Sequence, residues 1–586
     1  MRSAITRAKR RGRLGLWQRR LTVIALTAIG VFASYFFTLG KAANYQHLVA
    51  ATISVFGICA LIADWVVSRD IKRGGGVQAM RSGGTLSTGP GAMAGRLWAQ
   101  GEGFRLHSLN TEARENFNEA ESLFKEAKDT DGVIECMISL GKLERARDHP
   151  DEASKKFEAA YNVANEAKNR TGMANALLQQ GYLLINRKSP DGARQAFEEA
   201  GKLYSEEDSR FGEANAALGS AEASMQLTKA EEAAATFDHA HFLFSQVGDR
   251  NGEAHALYCR AEIDRQKRRA AEAQNRFERA LTLYRRTGDF LGEAAVRLAM
   301  TDILRRLGRA PNAQASALEA ADRFRDAARR VGNSPMLAGR GDTRRAPIRF
   351  EIARAHGGIA RTMLAESTDG TLEARLLIGL GEMERLAGRL EDSRMNFDRA
   401  VQLSKSSKNT NNLAILADAL KGKGRVEMQK GNSRGAREVM KEAQNHYKTA
   451  GGARDAAQTL MDLGQIDLLM EMPDRARVTF AQARTMYRGL NEMGLEGAAL
   501  RAIGDLESQL GRLPQAQQAY AEARGLFQQS GDHISEADSL LMIGLLSINV
   551  DNATATAFTI QAGRLYKAVG TIEWYRRAFA LARRIR

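Results

Sequence analysis

The feature that most constrains this 586-residue chain is a pattern that returns about every forty residues. An aromatic stands at Phe117, Phe157, Phe197, Phe237 and Phe277. Three residues after each comes an alanine (Ala120, Ala160, Ala200, Ala240, Ala280), and four before each comes another (Ala113, Ala153, Ala193, Ala233, Ala273). Seven residues after the aromatic, the slot is usually aromatic again, as at Phe124, Tyr204, Phe244 and Tyr284. Spacings of three, four and seven place these side chains on one face of an α-helix. The alanines let a neighbouring helix approach, and the ring fills the gap between them. Twelve residues before the leading alanine there is usually a small residue (Gly101, Gly141, Gly181, Ala221, Ala261), the expected crossing point of a first helix on the second. Short turns such as "GDRNGEA" and "GDFLGEA" stop one helix and cap the next. The pattern weakens at Ala317, resumes at Phe397, Met440, Phe480 and Tyr520, and slips by one residue at Thr559, which makes eleven copies. A twelfth slot, near Gly357, does not match. At this length a single compact core is excluded, and a stack of helix pairs is what such a text specifies.

A small residue after Leu (Leu140-Gly141, Leu463-Gly464), then Ala153 and Ala476, Phe157 and Phe480, and Ala160 and Ala483, resembles the tetratricopeptide (TPR) repeat. The resemblance covers about Gly95 to Arg586. It departs from the family in its period, about forty residues rather than thirty-four, and in lacking most of the family's first-helix aromatics and its closing proline. It implies an all-α fold: a right-handed superhelical solenoid of antiparallel helix pairs, first helices lining an inner groove that holds a peptide or partner helix. The family's groove positions fall one, four and five residues after the small residue. Carried over, they are Lys142, Arg145, Tyr182, Asn186, Glu222, Gln226, Glu262, Arg265, Asp302, Arg305, Arg306, Glu382, Arg385, Arg425 and Gln429, with Asp505 and Gln509 closing the series.

Ahead of the repeats the text is different. Leu21–Gly40 and His47–Ser68 are two apolar runs of bilayer-spanning length, and only Asp64 is charged among them. Basic residues flank the pair on both outer sides, so a transmembrane helical hairpin with both termini in the cytoplasm is expected. Cleavage after the first run would instead make the protein an exported envelope solenoid. The expected organisation is a basic tail at 1–20, the hairpin at 21–68, a flexible Gly/Ser-rich linker at 69–94, a first solenoid half at 95–332, an irregular insertion or hinge at 333–370, and a second half at 371–586.

The formal net charge is +16, yet about +11 of it lies in residues 1–92, where thirteen Lys/Arg face two Asp/Glu. Within the array, residues 111–259 carry about seventeen basic and twenty-seven acidic residues, or −10, and residues 260–361 about twenty-three and twelve, or +11. An acidic leading section thus precedes a basic one. The basic section is suited to an acidic partner, to anionic lipid, or to docking against the acidic section of a second copy. The lack of aromatic-rich basic patches argues against nucleic acid.

No reaction chemistry is legible. Neither a phosphate-binding G-x-x-x-x-G-K-[ST], an H-E-x-x-H nor a G-x-S-x-G occurs. Cys59, Cys136 and Cys259 are far apart and form no C-x-x-C pair, which predicts three free thiols. His239 and His241 lie two apart on a predicted helix and point to different faces, the wrong arrangement for a shared metal. The tripeptide Arg340-Gly341-Asp342 matches an adhesion motif by chance in a cytoplasmic chain. The expectation is a non-enzymatic scaffold without cofactor or metal, whose partners are other proteins, with a homo-oligomer compatible with the same surfaces.

Overall fold

The computed structural model describes residues 89–106, 109–332, 346–365, 370–405, 410–548 and 550–585, all within one compact unit, Thr88–Arg586. The expected hairpin at 21–68 and the loop at 333–345 lie outside the described residues. No described helix is long and apolar enough to cross a membrane.

Twenty-four helices and no strand occur among the described residues. The first half holds α1 (Pro90–Leu106), α2 (Asn110–Glu126), α3 (Thr130–Ala146), α4 (Pro150–Glu166), α5 (Arg170–Asn186) and α6 (Pro190–Glu206). It continues with α7 (Arg210–Gln226), α8 (Ala230–Val247), α9 (Arg250–Gln266), α10 (Ala270–Thr287), α11 (Phe290–Arg306) and α12 (Ala310–Gly332). An intervening helix, α13 (Ala346–Ala365), precedes α14 (Gly370–Leu386), α15 (Leu390–Lys405), α16 (Thr410–Gln429), α17 (Ser433–Thr449) and α18 (Ala453–Leu469). The chain ends with α19 (Pro473–Gly489), α20 (Met493–Gln509), α21 (Leu513–Ser530), α22 (His533–Leu546), α23 (Asn552–Val569) and α24 (Ile572–Ile585).

From α2 to α12 each helix begins twenty residues after the last, because seventeen or eighteen helical residues alternate with a tight turn. In these turns the residue before the N-cap is left-handed: glycine at Gly248 (φ 75°), Gly288 and Gly531, but a side-chain-bearing residue at Lys128, Lys188 and Asp208 (φ 56°, 55° and 50°). The next residue then caps the following helix. Asp129, Asn169, Asp289, Asn432 and Asp532 each accept a hydrogen bond from the backbone N–H three residues on.

All eleven anchor residues of the second helices are buried, from Phe117 to Thr559, including the weak copies at Ala317 and Met440. The small-residue rule has a direct steric cause. A methyl group on Gly181 would lie 2.6 Å from the ring of Phe197, and one on Gly219 of the next first helix would also lie 2.6 Å from it. The Phe197 ring is thus held between the glycine of its own pair and that of the next, as the Phe397 ring is between Gly381 and Gly422. Burying a Phe side chain in this way stabilises by about 1.5–3 kcal/mol. These features make the array an all-α repeat of helix pairs joined by tight turns.

At the unmatched slot the repeat changes. Helix α12 runs on past the usual length, and α13 is an additional helix packed between α11 and α14. Ion pairs tie both to each half. From α12, Arg325 pairs with Asp418 of α16, and Arg329 donates to Asp455 of α18 at 2.7 Å. From α13, Arg354 reaches Glu384 and Asp392 of the second half, whereas His356 reaches Glu262 of the first at 3.0 Å. The described helices beside the expected hinge therefore bridge the two halves. The expected linker also ends earlier than read: α1 starts at Pro90, the proline at its first position being compatible with a helix start.

Candidate functional site

Along the stack, first helices α3, α5, α7, α9 and α11, and then α14, α16, α18, α20 and α22, lie next to one another and carry the residues expected to line the groove. Most of the positions immediately after the small residue are covered by the neighbouring first helix. Tyr182 packs edge-on against Phe197 with ring centroids 5.0 Å apart. Glu222 is buried against His255 at 2.8 Å. Glu262 meets Arg265 and His356, and Arg265 bridges to Asp302, which is 0% exposed and also holds Arg305 and Arg306. In the second half Glu382 pairs with Arg385 at 2.6 Å and with Arg425 at 2.8 Å, and Arg425 continues to Asp462 at 2.9 Å. Asp505 accepts from Tyr520. At these positions the helices approach closely enough to bury the side chains, and burial is tolerated because Glu262, Asp302, Glu382 and Arg425 each meet an opposite charge.

The exposed members of the series are Arg305 and the residues five after the small one: Asn186, Gln226, Arg306, Gln429 and Gln509. Arg145 is half-buried and reaches Gln179 at 3.4 Å. Lys142 lines a cavity.

Burial and pairing set the charge states of the ladder. Burial by itself raises the carboxyl pKa of Glu382, but the Arg385 and Arg425 guanidinium groups outweigh it and hold the group at about 2. Glu262 is likewise held at about 2 by Arg265 and His356 against the effect of burial. Burial pushes the thiols of Cys136 and Cys259 up, so both are inert free cysteines. No group of His, Cys, Asp and Glu suited to a metal ion occurs among the described residues.

This cavity, about 690 Å³, is formed where the first described repeats meet the last helix, α24. Its floor is made by α1, α3, α5 and α7, through Trp98, Glu102, Ser139, Lys142, Asn175, Gln179, Phe211 and Asn215, with Tyr204 contributed by α6. Its roof is α24, through Tyr575, Arg576, Arg577, Phe579, Ala580 and Arg583. A polar chain stiffens the floor: Trp98 donates to Ser139 at 3.2 Å, Ser139 to Glu102 at 3.0 Å, and Arg105 to Glu102 at 2.7 Å. Burial raises the Glu102 pKa, but Arg105 outweighs it, and the carboxylate titrates at about 2. Sequence reasoning identified only Lys142 here. The remainder depends on an encounter between residues more than 350 positions apart, which no periodicity records. A second cavity, about 480 Å³, lies between Phe290, Arg323 and Arg329 on one side and Arg454, Glu492, Arg501 and Phe527 on the other.

Residues 381–565 match the family model of the soluble NSF attachment protein, SNAP, which is about a third of the chain. No curated protein matches. Among solved structures, the apo form of RapI is 14% identical with a TM-score of 0.31, covering 40% of this chain and 92% of that one. Aspartyl phosphate phosphatase F from Bacillus subtilis is 13% identical with a TM-score of 0.33, covering 52% and 91%. PilF of Pseudomonas aeruginosa is 19% identical with a TM-score of 0.26, covering 44% and 99%.

Proposed function

We propose that this protein is a TPR scaffold of the long, forty-residue period, anchored in a bacterial inner membrane by residues 21–68, that gathers other proteins through its concave face and catalyses no reaction. The observation that carries the reading is the cavity over α1, α3, α5 and α7. It is large enough for the side chains of a helix, and its lining mixes aromatic rings, amides and charges, the composition of a protein-binding surface rather than of a reaction centre. The two apolar runs, with Asp64 their one charge, and their basic flanks support the anchor and the cytoplasmic placement of both termini. A photo-crosslinking residue in place of Asn175, in membranes of the native host, tests the reading: covalent capture of a defined protein supports it. Capture of lipid or nucleic acid alone overturns it, as does release of the chain from membranes by carbonate.

The alternative, in which residues 260–361 bind nucleic acid or anionic lipid, has less support. Arg325, Arg329, Arg349 and Arg354 of that section already engage carboxylates of the chain.

A further inference from the structure

Resting on the reading above, we infer that the groove of the N-terminal repeats is a receptor for a basic amphipathic helix of a partner protein, and that α24 is its built-in occupant, which the partner displaces. The sequence of α24, "IEWYRRAFALARRI", has two distinct faces. Trp574, Ala578, Leu581 and Ile585 lie at spacings of four, three and four, and are buried in the core shared with Tyr566 of α23 and Trp98 of α1. Tyr575, Arg576, Phe579, Ala580 and Arg583 lie on the other face and look into the cavity. The first face caps the second half of the array. The second is presented to the first half as a ligand helix would be.

Charge explains the direction of the attraction. Helix α24 carries four Arg and one Glu, so 4 − 1 = +3, and it faces the section of the array whose net charge is about −10. Arg584 sits between Asp129 at 2.7 Å and Glu135 at 2.8 Å, with its guanidinium carbon 4.8 Å from the centre of the Phe124 ring. Arg583 reaches the same Glu135 at 3.2 Å. Arg576 lies 5.0 Å over Phe211 of α7. At the other end, Arg250 of α9 donates from its backbone to the carbonyl of Gly570 at 3.2 Å and from its side chain to that of Val569 at 2.7 Å. A methyl group on Gly95 would lie 2.5 Å from the carbonyl oxygen of Arg584, so this glycine permits the close passage of α24 over α1.

The same contacts make the occupant exchangeable. Within a pair, second-helix rings interlock with first-helix glycines. Under α24, by contrast, about 690 Å³ is left open, and α24 spans it with cation–π contacts and rim ion pairs. Arg583 is 70% exposed and Glu135 30%, which leaves their pairing open to salt. The capping face of α24 packs on α23 as well as on Trp98 of α1, so displacement lifts the cavity-facing side chains while the contacts with α23 are kept. A partner helix that repeats the pattern, an aromatic pair four residues apart with arginines beside it, meets the same floor.

The test uses the full-length protein in detergent micelles and a fluorescent synthetic peptide of residues 570–586. The variant Arg576→Glu/Arg583→Glu/Arg584→Glu keeps the capping face and repels the groove. The peptide is expected to bind this variant roughly tenfold or more tighter than the unsubstituted chain, because the competent open state is no longer a minor population. Binding is expected to weaken in 0.5 M salt, on the order of tenfold, and to vanish for a peptide with the same three arginines reversed. Arg250→Ala, which leaves α24 intact and loosens only its tether, must move peptide affinity in the same direction, and far-UV circular dichroism checks that both variants keep their helix content. Equal affinity for all chains overturns the inference, as does a gain that salt does not weaken. If peptide binding fails while a protein is still captured at position 175, the scaffold reading stands and only the identity of the groove's occupant is wrong.

Discussion

Replacing Arg425 by Met should destabilise the second half of the array by about 3–5 kcal/mol at pH 7. Arg425 is 2% exposed and donates to Glu382 of α14 at 2.8 Å and to Asp462 of α18 at 2.9 Å, joining three consecutive first helices. Methionine fills a similar volume, so the loss is not one of packing. It comes from leaving Asp462, 1% exposed, without its guanidinium, and Glu382 with Arg385 alone. The pH dependence follows from the same atoms. The folded-state pKa of Glu382 is about 2 against an ordinary 4.5, because the two arginines outweigh the opposing effect of burial. A depressed carboxylate contributes stability that is fully present above pH 4.5 and is lost as the pH falls towards 2. The penalty of Arg425→Met should therefore be largest at neutral pH and shrink between pH 4.5 and 2. Urea denaturation followed by circular dichroism at several pH values measures it, fitted with a model that allows the two halves to unfold separately. A loss below about 1 kcal/mol at pH 7 would refute the argument, as would a loss that grows with acid. Adding Glu382→Leu and Asp462→Leu to Arg425→Met should recover most of the stability, since an apolar trio needs no counter-charge.

Three further outcomes are expected. Gly181→Ala places a methyl group 2.6 Å from Phe197 and should lower stability by about 1–3 kcal/mol in thermal melts, while Gly192→Ala, whose methyl would meet nothing nearer than 3.5 Å, should not. Lys188→Gly relieves a left-handed residue at φ 55° and should stabilise by about 1 kcal/mol, the reverse of what glycine does inside a helix. The thiols of Cys136 and Cys259 should resist a disulfide reagent at pH 8 until the array is unfolded by urea, because both are buried and burial pushes their ionisation up; rapid labelling of either in the native protein would contradict their placement.

The repeat was legible because the contacts that make it are local. Phe197 meets Gly181 sixteen residues before it and Gly219 twenty-two after it, and a spacing of that order leaves its mark in every copy. The groove series was legible only in part. Helical geometry places Glu262 and Glu382 on a particular face, but spacing along one helix does not say how near the next first helix stands, and here it stands near enough to bury both. The pairing of Glu262 with His356, ninety-four positions away, depends on an extra helix at the one slot where the pattern fails. The meeting of Arg250 with Val569, and of Arg584 with Asp129, depends on where the end of a long stack comes to lie, the summed effect of every pair in it. An error of a few degrees per pair would move α24 off its seat, so no local reading of the text could have placed it.

The charge blocks make sense only in that assembled state. Read along the chain, an acidic section followed by a basic one suggests two copies docking head to middle. In the fold each block is answered from within the same chain. The acidic section takes the arginines of α24, and the arginines of α12 in the basic section take Asp418 and Asp455 of the second half. Both groups of contacts join segments far apart in sequence, and both flank a cavity on the side where first helices face inward. A partner approaching either cavity therefore meets chemistry that the protein has already matched to itself. Its apparent affinity is its intrinsic affinity reduced by the fraction of molecules that are open, so binding should strengthen with any substitution that weakens the internal contacts. Specificity then rests with a partner that reproduces those contacts better than α24 or α12 does, and net opposite charge alone is not sufficient to open the array.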